Sequence, residues 1–286
     1  MADQSKRLFM NFPGEFFVDS TCINCDACRQ LAPETFAEAE DYAYVKAQPS
    51  TEEETRKALR ALLACPTGSI GTEHPNKAGE VVSDFPLQLE NGVFYSGFNS
   101  RKSFGGNSYF VTNDFGNWLI DSPRYVRHLV ERFEEAGGID FIFLSHRDDV
   151  GDAAKFAKHF GSQRIIHRED LSAQPKAEIV ISGEEAQKIS DDFLVIPTPG
   201  HTRGHNCLRY KNEYLFTGDH LWWDRYQQEL YASKSVCWYS WLEQVKSLEK
   251  LLDYEFRWVL PAHGQRVQLE YSEMHYSLID LVKSLS

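Results

Sequence analysis

The chain has no long hydrophobic run and no obvious export signal. No stretch of about eighteen apolar residues occurs in its 286 positions, so no membrane-spanning helix is predicted. The opening residues MADQSKRLFMNF lack the apolar core and the small-residue cleavage site of a secretory signal. We therefore expect no membrane association, and a location in the cytoplasm or another reducing compartment.

Positive charge is also scarce. The chain has 30 Lys and Arg against 42 Asp and Glu, a net charge of −12. The first 84 residues alone carry 8 basic against 14 acidic side chains. A dense negative surface repels nucleic acid and anionic lipid, so neither is expected as a partner. It suits a basic redox partner protein, although a solvated acidic face is the alternative interpretation.

The pattern along the chain, which has no internal repeat, predicts two domains and a linker. Residues 1–73 form one unit, in which Ser50 and Thr51 can cap a helix over 52–64, since Glu53 and Glu54 occupy capping-box positions. Residues 74–84 are polar, contain Pro and Gly, and indicate a linker. Residues 85–286 form the second unit.

The second unit begins with short strand-like runs and continues with alternating helices and strands. The predicted strands are 93–95, 108–111, 118–120, 139–144, 164–166, 193–196 and 256–260. The predicted helices begin at Ser122–Pro123 and at about 152 and 240. Strands followed by alternating elements are typical of a layered α/β sandwich.

Four cysteines have the spacing of a metal cluster. Cys22, Cys25 and Cys28 lie on one short loop, and Cys65 follows much later with Pro66 behind it. Three thiolates that wrap one corner and a fourth from a distance suit a [4Fe–4S] cubane. Zinc is the alternative, but its sites usually pair two short cysteine knuckles. No further cysteine follows Cys28 closely, so the spacing allows one cluster.

This segment resembles the single-cluster bacterial ferredoxins. The runs CINCDACRQLAPETF, DYAYV and CPTGSI occur there in the same order. The resemblance implies an α+β ferredoxin-like domain and a low-potential, one-electron carrier. Hydrogen bonds to sulfur and burial tune the potential of such clusters.

The second unit contains a set of His and Asp residues in loops that follow apolar runs. They are His146, Asp148, Asp149, Asp152, His201, Asp219 and His263. Loops at the ends of strands collect ligands at one edge of a sheet. Imidazole and carboxylate together suit Zn²⁺, Fe or Mn.

Residues 85–286 resemble the metallo-β-lactamase-fold superfamily, and the glyoxalase II-like hydrolases in particular. The order LENGVFY, GGNSYFV, WLIDSP, FIFLSH, TPGHTRGH, LFTGDH and VLPAHG carries the resemblance. It implies a four-layer αββα sandwich that holds one or two metal ions between the sheet edges. His201, Asp219 and His263 match metal-binding positions of that family, with Asp219 as the bridging carboxylate, and His146 aligns with the first His of its first motif.

That first motif departs from the family. The expected pattern is H-x-H-x-D-H, whereas this chain has His146-Arg-Asp-Asp-Val-Gly-Asp-Ala153. In one register Asp148 takes the Asp position, that of the catalytic carboxylate, and Asp149 replaces the last His. In the other, Asp148 or Asp149 replaces the second His, Asp152 takes the Asp position, and Ala153 stands at the last His. The predicted site is more acidic than the family pattern, and can hold two ions, one or none.

Three functions are compatible with these motifs. The first is a metal-dependent hydrolase of a small anionic ester or thioester, redox-coupled to its cluster. The second is an oxidoreductase whose metal site is supplied with electrons by the cluster. The third is a non-enzymatic redox sensor or electron-transfer protein with a degenerate metal site.

Overall fold

The computed structural model describes residues 2–285, without the side chain of Pro75. The chain divides into two compact units. The first comprises the part up to Asn117 together with Ser122–Gly138, and the second comprises Trp118–Asp121 together with the part from Ile139 onward.

The described residues of the first unit form three α-helices and seven short strands. The helices are α1 (Ala27–Leu31), α2 (Glu52–Ala64) and α3 (Arg127–Glu135). The strands are β1 (Phe16–Val18), β2 (Phe36–Ala39), β3 (Tyr42–Val45), β4 (Ile70–Thr72), β5 (Leu87–Glu90), β6 (Val93–Tyr95) and β7 (Tyr109–Val111). β1 pairs with β4, β2 with β3, and β5, β6 and β7 follow one another as neighbours, all antiparallel.

Local capping explains why helix α2 has the predicted bounds. The Thr51 hydroxyl accepts a hydrogen bond from the Glu54 N–H, and the Glu54 carboxylate accepts one from the Ser50 N–H. These bonds satisfy donors that the first turn of a helix leaves free. The apolar face of α2, with Ala58 and Leu59, packs into the core of the N-terminal segment.

The predicted linker is an ordered element. Pro75–Asp84 form a 3₁₀ helix, and its Val81 side chain is buried in the same core as α2. Asp84 accepts hydrogen bonds from Arg56 and from Arg60, the latter at 2.6 Å from Nε. The predicted domain boundaries stay a prediction, but this segment is fixed to α2.

As far as the structure describes it, the second unit has three α-helices and twelve strands, which form two sheets and a hairpin. The helices are α4 (Ala153–Phe160), α5 (Trp241–Leu251) and α6 (Tyr271–Leu285). The strands are β8 (Trp118–Ile120), β9 (Phe141–Phe143), β10 (Gln163–His167), β11 (Ile179–Ile181), β12 (Gln187–Lys188), β13 (Phe193–Pro197), β14 (Asn206–Tyr210), β15 (Tyr214–Gly218), β16 (Trp222–Asp224), β17 (Glu229–Tyr231), β18 (Trp258–Pro261) and β19 (Val267–Gln268).

The sheets of the second unit explain where its loops gather. β8, β9, β10 and β11 are parallel neighbours. The other sheet has the order β12-β13-β14-β15-β18-β19, in which only β15 and β18 are parallel. Helices α5 and α6 bury Leu248, Leu251, Leu278 and Leu281 against it. Each such leucine contributes about 1.5–3 kcal/mol by leaving water.

The start of helix α3 differs from the prediction. The helix begins at Arg127 rather than at Ser122–Pro123. Val126 before it is extended (φ −120°, ψ 144°), and the Arg124 N–H donates to the Phe98 carbonyl oxygen, 2.9 Å away. This bond joins residues distant in sequence, so no local pattern could reveal it. Among the described residues, no helix is long and apolar enough to cross a membrane.

Candidate metal centres

The cysteine loop folds around the four predicted cluster ligands. Asn24 and Asp26, which flank Cys25, have positive φ angles of 54° and 70°, a conformation that Asn and Asp tolerate better than most residues. Arg29 ties both side chains together, with hydrogen bonds of 2.5 Å to Asn24 and 2.6 Å to Asp26. These hydrogen bonds fix the backbone on both sides of Cys25.

The four cysteines line one cavity. Backbone N–H groups point at them: those of Asn24 and Ala43 lie 3.4 Å from Cys22 Sγ, and that of Ser69 lies 3.3 Å from Cys65 Sγ. Such N–H groups stabilise sulfur that carries negative charge. All four thiols are free, and the donor set fits a [4Fe–4S] cluster.

The electrostatics of the cysteine loop demand a cation when the thiols ionise. Burial, and then the charge of neighbouring thiolates, raises the pKa of Cys25 to about 12. The same causes raise the pKa of Cys28. Four adjacent thiolates cannot therefore coexist near neutral pH without positive charge between them, which the iron ions of a cluster would supply.

A loop outside the cysteine segment closes against Cys25. Gly105 has a positive φ of 88°, and a Cβ atom placed on it would lie 2.6 Å from Cys25 Cβ and 2.8 Å from Cys25 Sγ. Real Cβ atoms do not approach so closely, so only glycine fits at this position. The Asn99 side chain fixes the loop by donating to the Gly105 carbonyl oxygen at 2.6 Å.

We expect Gly105→Ala to weaken cluster retention. A strain of about 1–3 kcal/mol corresponds to a roughly 5- to 150-fold loss of affinity. The rate at which the visible absorbance of the purified protein decays in air measures cluster retention. Gly161→Ala is the matched control, because Gly161 also has a positive φ, 74°, but meets no atom within 4 Å. Equal decay rates in both variants would contradict this role of Gly105.

The predicted His and Asp ligands of the second unit come together at the ends of its strands. His146 and Asp149 follow β9, His201 follows β13, Asp219 follows β15, and His263 follows β18. Each of these strands is buried and its loop is short, so the side chains converge at one sheet edge, as expected for such loops.

The distances describe two overlapping ligand groups. His146 Nε2 and His201 Nε2 each lie 3.6 Å from Asp219 Oδ2. Asp148 Oδ2 lies 3.6 Å from His201 Nε2, and Asp149 Oδ2 lies 3.9 Å from His146 Nε2. The ligand atoms of His146, Asp148 and His201 lie within 4.8 Å of one another, and so do those of His146, Asp149 and Asp219. His263 Nδ1 lies 2.8 Å from Asp219 Oδ1.

Hydrogen bonds behind the imidazoles set which nitrogen faces the centre. His201 Nδ1 lies 2.6 Å from the Val236 carbonyl oxygen. A carbonyl only accepts, so Nδ1 carries a proton and Nε2 is the nitrogen that faces the centre. His146 Nδ1 lies 2.9 Å from Ser145 Oγ, which in turn donates to Asp121. Both imidazoles are thus oriented as metal ligands usually are.

The centre holds buried ligand atoms that have no protein partner. Within the described part of the chain, His146 Nε2, His201 Nε2 and both carboxylate oxygens of Asp149 are buried without a hydrogen bond. A buried polar atom without a partner costs about 1–3 kcal/mol. Because these atoms belong to two ligand groups that share His146, the residues present fit a divalent cation.

The charges of the centre support the same conclusion. Burial, and then the neighbouring charge of Asp219, raises the pKa of Asp149 well above its ordinary value. Burial lowers the pKa of His146 to about 4, so its ring is neutral near pH 7. Burial would raise the pKa of Asp219, but attraction to His263 outweighs it and lowers that pKa. The neutral His146 ring beside crowded carboxylates suits a cation.

The backbone conformation at Gly218 sets the position of Asp219. Gly218 before it has a positive φ of 51°, and a Cβ atom there would lie 2.6 Å from His205 Nε2 and 2.7 Å from Ser145 Oγ. The turn therefore needs glycine, and it aims Asp219 at the imidazoles. His205 Nε2 accepts a hydrogen bond from the Asp219 N–H, and His205 Nδ1 is hydrogen-bonded to the Thr198 hydroxyl. Both ring nitrogens of His205 therefore have a partner.

One predicted site residue lies apart from the centre. Asp152 is the N-cap of α4, and its carboxylate lies 3.2 Å from Lys155 Nζ. It belongs to neither ligand group, whereas Asp148 and Asp149 each belong to one. The arrangement favours the register in which Asp148 takes the Asp position and Asp149 the place of the last His.

Sequence reasoning did not single out Asp121 and Ser145. Asp121 is buried with a positive φ of 53°, and it accepts hydrogen bonds from the Ser145 N–H and hydroxyl. Burial, partly offset by these bonds, raises its pKa to about 7. An aspartate that ends the apolar run WLI and a serine just before His146 are the signals that could have found them.

Solved structures show the fold of the larger part of the chain. A metallo-beta-lactamase family protein from Thermus thermophilus matches with a TM-score of 0.50 and 16% identity, covering 69% of this chain and 79% of that one. The metallo-beta-lactamase FIM-1 from Pseudomonas aeruginosa, in its mono-zinc form, matches with a TM-score of 0.50 and 14% identity, covering 69% and 93%. The larger part has the metallo-β-lactamase fold, an α/β sandwich, as predicted.

The remaining part is identified by a family model. Residues 18–72 match the family described as the "4Fe-4S single cluster domain of Ferredoxin I". The chain therefore carries a single-cluster [4Fe–4S] domain in this segment, as its cysteine spacing predicted, and the match favours a cluster over zinc.

Curated relatives resemble part of the chain. Hydroxyacylglutathione hydrolases of Salmonella paratyphi A (strain ATCC 9150 / SARB42) and Salmonella paratyphi B (strain ATCC BAA-1250 / SPB7) are each 30% identical over 127 residues. The match covers 43% of this chain and 50% of each relative. The chain thus spans half the length of these relatives.

Proposed function

We propose that the larger part of the chain is a metal-dependent hydrolase of small anionic esters or thioesters, redox-coupled to the [4Fe–4S] cluster. The observation that carries the proposal is the convergence of unpartnered, buried His146 Nε2, His201 Nε2 and Asp149 oxygens around Asp219. The name of the Salmonella relatives, which describes hydrolysis of an acylated glutathione, supports the thioester class.

The side chains of the centre have different roles in the proposed hydrolysis. A bound divalent cation would supply Lewis acidity that polarises a carbonyl group and lowers the pKa of water. Asp148 is 48% exposed on its side chain, and the adjacent His201 lowers its pKa. It is therefore ionised near neutral pH, and its carboxylate can take a proton from attacking water. His263 holds the Asp219 carboxylate in place at 2.8 Å.

The donor set indicates which metal is favoured. Asp149 is a hard oxygen ligand in a place where an imidazole was expected. A site with fewer imidazoles and more carboxylates prefers Fe²⁺ or Mn²⁺ relative to a histidine-rich zinc site. The proposal therefore includes one or two such ions, with Zn²⁺ as the alternative.

A second candidate function rests on the group of His146, Asp148 and His201, whose ligand atoms lie within 4.8 Å of one another. Two histidines and one carboxylate suit a mononuclear non-haem iron site. In that case the chain is an oxidoreductase whose iron receives electrons from the cluster.

A basic redox partner is proposed for either function, because the first 84 residues are acidic.

The fold beyond the shared sandwich is part of the proposal. We take the N-terminal segment to have the α+β ferredoxin-like fold, and the larger part to have the four-layer αββα arrangement. Both follow from the family resemblances in the sequence, and the antiparallel pairs of the first unit and the two sheets of the second are compatible with them.

Metal analysis combined with a thioester assay tests the proposal. Protein prepared without oxygen is expected to contain Fe, Mn or Zn beyond the iron that matches its sulfide. It is also expected to hydrolyse an S-acylglutathione. Selective removal of the additional metal should lower hydrolysis on the order of 10³-fold, because Lewis acid catalysis contributes several kcal/mol. Iron in the amount of the cluster alone, with no hydrolysis, would overturn it, and additional iron without hydrolysis would favour the oxidoreductase.

A further inference from the structure

Arg124 reaches the cysteine segment from outside the part that matches the ferredoxin family. Its Nη2 atom donates to the Leu63 carbonyl oxygen at 2.8 Å and lies 3.5 Å from the Cys65 carbonyl oxygen. Its backbone N–H and its Nε both donate to the Phe98 carbonyl oxygen. The guanidinium therefore bridges the loop at Phe98 and the last turn of α2, which ends at Cys65.

The surroundings of the Arg124 guanidinium favour a positively charged side chain. The last carbonyl groups of a helix have no partner within the helix and carry partial negative charge, and Cys65 adds a thiolate beside them. Burial lowers the pKa of Arg124, and attraction to the Cys65 thiolate opposes this. An arginine stays charged under such conditions. Within the described part of the chain, no ion pair joins it to a carboxylate.

A second contact holds the same loop against α2. The Asn99 N–H donates to the Ala64 carbonyl oxygen at 3.2 Å, and the Asn99 side chain is itself held by the Tyr95 hydroxyl at 2.6 Å. Together with Gly105 against Cys25, the loop contacts the cysteine segment near two of its four cysteines. The cluster surroundings thus extend beyond residues 18–72.

We propose that Arg124 is a positioning residue of the iron–sulfur site, where it anchors the Cys65 end of α2 and raises the reduction potential of the cluster. Reduction adds one electron to a group that already carries four thiolates. A fixed buried cation stabilises the reduced form more than the oxidised form, because the reduced form is the more negative. The electron comes from an external reductant, and no bond breaks.

The test separates charge from hydrogen bonding in the full-length, cluster-loaded protein. Arg124→Gln keeps a donor for the carbonyl groups but loses the charge, and Arg124→Lys keeps the charge. Arg127→Gln is the matched control, since Arg127 is three residues away and its side chain is 91% exposed. The electron paramagnetic resonance signal of the reduced cluster, followed in a redox titration with dithionite, measures the midpoint potential.

We expect Arg124→Gln to lower the reduced-to-oxidised ratio about tenfold at the wild-type midpoint, equal to 59 mV for one electron. Arg124→Lys should shift the potential by less than half as much, and Arg127→Gln should match wild type. Coinciding potentials for Arg124→Gln, Arg127→Gln and wild type would overturn the proposal. If Arg124→Gln loses its cluster, the Arg124→Lys variant is the test. A cluster that Arg124→Lys retains, with a potential near that of wild type, supports the role of the charge. Equal loss of the cluster in Arg124→Lys overturns the proposal.

Discussion

Cys65→Ala is expected to remove the [4Fe–4S] cluster, with about tenfold or greater loss of bound iron and sulfide. Cys65 is the one predicted cluster ligand that comes from outside the cysteine loop, at the end of α2. Without it, the loop can offer three thiolates only. The measurements are iron and sulfide per chain and the visible absorbance of protein prepared without oxygen.

The control for this experiment is another cysteine of the same chain. Cys237 is half-buried, and its Sγ lies 3.1 Å from the Gly200 carbonyl oxygen in the second unit. Cys237→Ala removes one thiol but should leave iron, sulfide and absorbance unchanged. Full cluster content in Cys65→Ala would show that the fourth ligand lies elsewhere and that the assignment of Cys65 is wrong.

The second large effect is expected at Asp219. Asp219→Asn keeps the size of the side chain but removes the negative charge that both His146 and His201 face at 3.6 Å. An amide is a weaker ligand than a carboxylate, so affinity for the additional metal should fall about 100-fold or more, beyond the loss typical of a supporting residue. Metal titration of the cluster-loaded protein measures this directly, and hydrolysis should fall with it.

Cluster content separates this effect from general damage to the protein. Asp219→Asn should leave the iron that matches sulfide unchanged, because Asp219 lies in the second unit. Asp253→Asn is the control, since Asp253 is exposed in the same unit. Unchanged affinity for Fe²⁺, Mn²⁺ and Zn²⁺ in Asp219→Asn would show that the His and Asp residues form a structural network without a metal.

Features of the fold and the site were predictable from the sequence where residues close together in the chain determine them. Helix α2 has its predicted bounds because Thr51 and Glu54 cap it within one turn. The convergence of His146, His201, Asp219 and His263 followed from a resemblance that spans many segments. By contrast, local sequence did not settle which aspartates accompany them. Burial of Asp149 and the ion pair of Asp152 with Lys155 depend on how the loop after β9 packs.

The surroundings of the cluster lay beyond sequence reasoning for the same physical reason. Arg124 meets the Cys65 carbonyl oxygen across 59 residues of chain, and Gly105 meets Cys25 across a still longer separation. Neither contact leaves a periodic or motif signal. An isolated arginine or a Gly-Gly pair is common in loops, so its role becomes visible only once the backbone path is known.

The 3₁₀ helix Pro75–Asp84 determines where this chain can be divided for separate production. Its Val81 is 2% exposed within the N-terminal core, and its Asp84 forms ion pairs with Arg56 and Arg60 of α2. A fragment that stops at residue 73 would expose that apolar surface and leave two arginines without their counter-charge. A fragment that extends through Asp84 keeps these contacts, but it still lacks Gly105 and Arg124, which contact the cysteine segment from further along the chain.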